Sequence, residues 1–195
     1  AHEIKNPLTP MRLSVQSFQR KFDPTDPNIH HKVDEYSNTL IQQIDIMSSI
    51  ASAFSSFAKM PAQKNERLNV VEIVELALDI FSENYITFHA SKKEVITKFD
   101  RTQLIRIVTN LVKNGIQSIP EGKEPEILVN VSEEGNDVIL EVQDNGVGIT
   151  DENKNKVFEP KFTTKTSGMG LGLAMVKNIV STYNGSITFT SNENK

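Results

Sequence analysis

His2 and Glu3 stand side by side in the run His2-Glu3-Ile4-Lys5-Asn6-Pro7-Leu8-Thr9-Pro10. A neutral imidazole is a good nucleophile near neutral pH, and an adjacent carboxylate can accept the ring proton as a bond forms. Three further blocks lie far downstream. Asp144 shares strand parity with Val138, Leu140 and Val142, so it points to the apolar face of its strand. A carboxylate sent into an apolar layer is costly unless it meets donors, and the exocyclic amine of adenine would be a fitting one. Gly146 and Gly148 follow, where a backbone must turn sharply and leave room. An ordinary Asp-Asn-Gly turn is the plain alternative.

Asn110 and Asn114 are four residues apart and share one helical face. Their amide oxygens are hard, neutral ligands suited to Mg²⁺, and a neutral ligand leaves the ion's charge to offset a triphosphate. Two solvated asparagines would read the same way. Gly168, Gly170 and Gly172 open a later helix, where backbone amides make a ready anion site. That block lacks the Lys-Ser/Thr of a P-loop, and no strand directly precedes it. The polar stretch ahead of it carries Phe158, Lys161, Phe162, Thr164 and Lys165 and reads as a lid anchored by its two phenylalanines.

The elements that must position these groups follow from periodicity. Ile4, Leu8, Met11, Val15, Phe18 and Phe22 step by four and three, predicting a seamed helix over 2–22 that Pro7 and Pro10 should bend. A proline- and Asp-rich turn leads to a second seamed helix over about 31–60. Two such helices form an antiparallel hairpin, and the simplest cover for the apolar residues off the seam is a second copy, giving a four-helix bundle on dimerisation; packing on the chain's own C-terminal domain is the plain alternative. Residues 1–62 are read as this hairpin, 63–68 as a linker and 69–195 as a second domain. There, helices are expected over 70–81, 101–119 and 173–183. Strands are expected over 86–89, 95–99, 127–131, 138–142 and 186–191, with Gly135-Asn136 as a hairpin turn. The expected class is α plus α/β: the hairpin, then a two-layer α/β sandwich with a mixed sheet.

The chain has 195 residues and a net charge of −4, which gives no basic footprint for nucleic acid. It has no cysteine, which excludes disulfides and fits a reducing compartment. No apolar run approaches the roughly 20 residues that cross a bilayer, so no membrane contact and a cytoplasmic location are expected for this piece. A helix would not naturally begin at residue 2, so the chain is expected to be a piece whose upstream part is removed.

In order and spacing, these blocks resemble the catalytic core of two-component sensor histidine kinases. His2 to Pro10 resembles the H box, Asn110 to Asn114 the N box, Asp144 to Ile149 the first glycine box, Phe158 to Lys165 the F box, and Gly168 to Leu173 the second glycine box. Each is short; five in series cover essentially the whole chain. Phe162-Thr163-Thr164-Lys165 and Gln117 are most similar to the nitrogen-regulation type. The resemblance implies a dimerisation and phosphotransfer hairpin and an ATP-binding domain of the kind shared with Hsp90, gyrase and MutL. It implies that His2 takes the γ-phosphate of ATP, aided by Glu3, and passes it to an aspartate on a response-regulator receiver domain. It implies that Asn114, helped by Asn110, holds Mg²⁺ and that Asp144 reads adenine. Lys113, Gly146, Gly148, Ile149, Phe158, Lys161, Thr164, Lys165, Gly168, Gly170, Leu171 and Gly172 would complete the nucleotide site. Glu3 to Asn6 also resembles the family's phosphatase signature, with Asn6 orienting a water.

Three positions depart from the pattern. Gly115 stands where alanine is usual, Gln117 where many relatives carry a basic residue that meets phosphate, and Lys161 at a position often aromatic. One of Lys113, Lys161 and Lys165 is therefore expected to meet the phosphates. The family also has one further strand after 186–191, expected to be missing here, which would expose a sheet edge. Two other readings stay open: a non-kinase ATPase of the Hsp90 and MutL kind, and a catalytically silent dimer that holds a response regulator.

Overall fold

The computed structural model describes residues 2–58, 64–81, 84–160, 162–163 and 170–192, and of residues 2–7, 46 and 48–58 the backbone alone. The chain divides into two compact units, Ala1–Met60 and Pro61–Lys195.

The first unit is a helix pair. Helix α1 (His2–Lys21) is joined by a turn to α2 (Ile29–Ala58). Asp23 caps the turn by accepting from the amide and hydroxyl of Thr25, and Asp26 accepts from the Asn28 amide. Beside the turn Phe18 stacks on Tyr36, with ring centroids 4.4 Å apart. Leu8, Leu13, Val15, Phe22, Ile41 and Ile44 remain exposed.

The second unit sets helices against a mixed sheet. Its elements are β1 (Glu66–Asn69), α3 (Val70–Leu78), β2 (Ile86–Ala90), β3 (Ile96–Phe99), α4 (Arg101–Ser118), β4 (Ile127–Glu134), β5 (Asp137–Asp144), α5 (Asp151–Lys154) and α6 (Gly172–Thr182). Strands β2 and β4 are parallel, β4 and β5 antiparallel, and β1 pairs antiparallel with β3. Gly135, with φ +62°, starts the two-residue turn between β4 and β5, so the expected hairpin forms. Registered residues share a face. The rows Ala90–Val131–Leu140, Phe88–Val129–Val142 and Ile86–Ile127–Asp144 run across one side of the sheet. Val131, Leu140, Phe88, Val129, Val142 and Ile127 from these rows join Val74, Val108 and Val112 of α3 and α4 in the core. Val74, Val95, Val108, Val112 and Val129 are fully buried, each contributing about 1.5–3 kcal/mol.

Two expectations change. Residues 66–68, read as linker, lie in β1, because Glu66–Asn69 finds β3 as a partner and Asn69 then caps α3 through Val71 N. Residues 186–191, read as a strand, form none. Their alternation specifies faces but supplies no ladder, and among the described residues β5 pairs with β4 alone. Instead, α6 ends in a Schellman stop. Asn184 takes φ +57°, its amide donates to Ser181 O, and Gly185 N donates to Val180 O.

Helix α4 is anchored at its start by Asp100, which is 7% exposed. Its Oδ1 accepts from Gln103 N at 3.0 Å and its Oδ2 from Lys64 N at 2.8 Å. Tyr183 stacks on Phe99, accepts from Asp100 N and donates to Asn65 Oδ1. Burial raises the Asp100 pKa, but amide donors from Lys64, Gln103 and Thr102 outweigh it and hold the carboxyl below the usual range. A depressed folded value means that this stabilisation is complete above the unfolded value of about 4 and is lost as pH falls through the folded one. Asp100→Ala is expected to cost about 1–2 kcal/mol of unfolding free energy in denaturant titrations at pH 7. The difference between wild type and variant should shrink below about pH 4; a difference independent of pH would contradict the assignment.

Candidate functional site

The site is built along one face of α4. Asn110, Asn114 and Ser118 recur every four residues and so lie in one stripe. Asn110 Nδ2 donates to Arg106 O at 2.7 Å, which turns its Oδ1 outward. A β-carbon at Gly172, the first residue of α6, would stand 2.9 Å from that Oδ1 and 3.6 Å from Asn114 Nδ2. The asparagine pair and the glycine that opens α6 are thus brought together. No side chain caps the first amides of α6, which suits an anion there.

At the other end of the stripe lies Asp144. It ends the row Ile86–Ile127–Asp144, so it sits on the helix-facing side that strand parity predicts. It is exposed rather than sunk between the layers, which corrects the expectation of a buried acid. The reason is local: the α4 residue opposite it is Gly115, whose missing β-carbon would lie 3.2 Å from Asp144 Cβ and 3.7 Å from Oδ2. Ser118 Oγ donates to Asp144 Oδ1 at 2.7 Å and Gly146 N to the same oxygen at 2.9 Å. Asn145 ties the strand end to the loop before β4, donating to Glu124 O and accepting from Glu126 N. Val147 N donates to Ser118 O, which fastens the turn onto the end of α4.

The remaining predicted residues divide into those described and those not. Gly148 takes φ +77°, where only glycine is comfortable, and Ile149 N donates to Ser191 Oγ at 2.8 Å. Phe158 meets Phe189 edge to face at 5.8 Å, with Lys177 Nζ 5.6 Å from its ring centre. Gly170 has φ +62° and Leu171 is the half-buried residue before α6. Lys113 is exposed. Lys161, Thr164, Lys165 and Gly168 lie outside the described residues, as do the side chains of His2, Glu3 and Asn6, whose backbone is in α1. The surface concavity lined by Glu75, Leu78, Asp79, Phe81, Ile86 and Phe88 is at the β2 edge and includes none of the site residues. Ser118 was not among the expected residues. The signal for it was one more step of four beyond Asn114.

An exposed carboxylate with one oxygen anchored can accept from a ligand amine, and amide oxygens one end away can meet a cation that carries phosphate. Among the described residues no three His, Asp or Glu side chains gather as a metal cage. A pair of amides fits Mg²⁺, which keeps waters and ligand phosphates in its shell and needs few protein ligands. Gly146 is the tightest point. A β-carbon there would lie 1.8 Å from Ser118 Oγ, 2.6 Å from Ser118 Cβ and 2.7 Å from Asp144 Oδ1. Gly146→Ala is expected to push both side chains aside and weaken nucleotide binding at least about tenfold, the scale of one lost hydrogen bond to a charged group. Adding Ser118→Gly should recover part of the thermal stability lost, as read by calorimetry. No recovery would mean that the clash lies elsewhere.

Residues 99–195 match the family described as histidine kinase-, DNA gyrase B-, and HSP90-like ATPase. The chain is 32% identical over 196 residues to nitrogen regulation protein NtrY of Azorhizobium caulinodans, covering 96% of this chain and 25% of the relative. It therefore spans about a quarter of that protein's length. Among solved structures, the catalytic domain of histidine kinase ThkA is similar at a TM-score of 0.56 and 28% identity, over 61% of this chain and 81% of that one. ThkA in complex with the response regulator protein TrrA shares the fold at a TM-score of 0.67 and 23% identity, over 95% of this chain and 53% of that one. With the motif order and the α4 site already in place, the chain belongs to the histidine kinase-, gyrase B- and HSP90-like ATPase family, as a histidine kinase ATPase core of the nitrogen-regulation type.

Proposed function

We propose that the chain is the kinase core of a sensor histidine kinase that binds Mg-ATP, phosphorylates His2 and passes the phosphoryl group to an aspartate of a response regulator. The observation that carries this reading is the single α4 stripe. It links a base-reading carboxylate at Ser118 to an amide pair at the glycine that opens α6. His2 in its motif supplies the acceptor, and the similarity to NtrY over nearly the whole chain supports the pairing of the two units in one enzyme.

The chemistry is one transfer followed by another. The imidazole lone pair of His2 attacks the γ-phosphorus, an N–P bond forms, and the bond from that phosphorus to the β,γ-bridging oxygen breaks to release ADP. Glu3 accepts the ring proton. An aspartate oxygen of the regulator's receiver domain then attacks, and the N–P bond breaks. Asn6 orients water for the reverse task, hydrolysis of the regulator's acyl phosphate. Mg²⁺, held by Asn114 with Asn110, would offset the charge of the phosphates. The exposed apolar residues of α1 and α2, among them Leu13 at 60%, support a homodimer through a four-helix bundle. No helix among the described residues is long and apolar enough to cross a membrane.

Incubation with γ-labelled ATP distinguishes three functions. Acid-labile, base-stable label that His2→Gln abolishes is the expected result. Hydrolysis without label would point to the non-kinase ATPase, and neither signal would point to a silent scaffold. In the same system Asn6→Ala should keep labelling while slowing dephosphorylation of the regulator, and equal loss of both would defeat the division of roles. Among the lysines, alanine at Lys113, Lys161 or Lys165 should raise the Kd for ATP several-fold, by about 1 kcal/mol for a surface-accessible charge. Unchanged affinity in all three would remove them from the site.

A further inference from the structure

We infer that Ser118 is a positioning residue that fixes Asp144 to select a purine carrying an amine, rather than a carbonyl oxygen, at position 6. This rests on the nucleotide reading above and adds to it the residue that holds the base-reading carboxylate in place. The two oxygens of Asp144 have different surroundings. Oδ1 accepts from both Ser118 Oγ, at 2.7 Å, and Gly146 N, at 2.9 Å. Oδ2 takes no hydrogen bond among the described residues and is the oxygen nearest Gly115, whose missing β-carbon leaves space beside it.

One donor would hold a carboxylate only loosely, since rotation exchanges its two oxygens. Two donors arriving from α4 and from the turn after β5 hold Oδ1 in place and leave Oδ2 as the acceptor that a ligand meets. An exocyclic amine donates to that oxygen. A 6-carbonyl sets acceptor against acceptor, and polar sites of this kind reject a mismatched partner strongly. Ser118 is itself well placed for the task. Its Oγ also lies 2.7 Å from Gly115 O, within its own helix turn, so its one proton is shared between a backbone carbonyl and the carboxylate. The bare Cα of Gly146 allows the hydroxyl to approach that closely.

The test compares ADP with IDP, which differ at position 6 of the base, by isothermal titration calorimetry on the whole chain. Wild type should prefer ADP. Ser118→Ala should weaken ADP about tenfold and change IDP by less than about twofold, so that the preference falls, in keeping with one hydrogen bond to a charged group. Ser118→Thr, which keeps the hydroxyl, should keep the preference. Equal weakening of both nucleotides by Ser118→Ala would reduce the residue to a structural role, and an unchanged Kd for ADP would overturn the inference outright. Asp144→Asn separates the two levels. If it abolishes the preference while Ser118→Ala does not, the role of Ser118 alone fails. If neither substitution alters the preference, the base-reading assignment of Asp144 fails with it.

Discussion

Close approach along one face of α4 is the constraint that the rest of the site obeys. Three partners reach that helix at distances a β-carbon would forbid or crowd. Gly172 reaches Asn110, Gly146 reaches Ser118, and Gly115 on the helix itself lies under Asp144 and Ile127. Packed interiors leave little slack, so a shift of α4 must move all three contacts together. The start of α6, the end of β5 and the turn after it are therefore referred to one rigid element. That is the usual physical requirement for a site whose parts come from distant points in the chain.

What fixes α4 in turn lies at its two ends and along its buried face. Leu104, Ile107, Val108 and Val112 press into the core. At the start, Asp100 satisfies the first amides and the amide of Lys64, while Tyr183 bridges Asn65 and the Asp100 amide. Tyr183 directly follows α6, whose other end holds Gly172 against Asn110. Helix α6 thus touches α4 at both of its own ends, once through an aromatic hydrogen-bonded cluster and once through a glycine. A displacement of α6 is felt both where the chain enters the second unit and where the asparagines sit.

Much of this was legible in residue order, for reasons that differ from place to place. The period of two in Val138, Leu140, Val142 and Asp144 identified the face of the acid, because pleating leaves no other choice. It could not give the burial, which Gly115 on another element decides. Gly135-Asn136 announced its hairpin, since its backbone signs suit few other residues. Strand β1 was hidden because Glu66-Arg67-Leu68-Asn69 has no alternation; it is a strand only because β3 is beside it. The opposite holds at 186–191, where Ile187 and Phe189 alternate without a backbone partner. Ser118 escaped notice because a serine near a helix end ordinarily means a terminus, and only the geometry shows whose oxygen it meets.

The distribution of charge along the stripe follows the same logic. Asn110, Asn114 and Ser118 are all neutral, and the formal charge nearest the stripe's far end is Asp144. Eight residues of helix, about 12 Å of axis, separate Asn110 from Ser118. That spacing is at or beyond the Debye length of about 8–10 Å at physiological salt. Under the proposed reading, the negative charge of Asp144 at the base-reading end therefore opposes a polyphosphate at the amide end only weakly. Replacing either asparagine by aspartate would set a carboxylate within a few ångströms of the phosphates, where unscreened repulsion is on the order of several kcal/mol. Amides keep the oxygen donors and omit that repulsion, so under the proposed reading the stripe can serve both ends of one nucleotide.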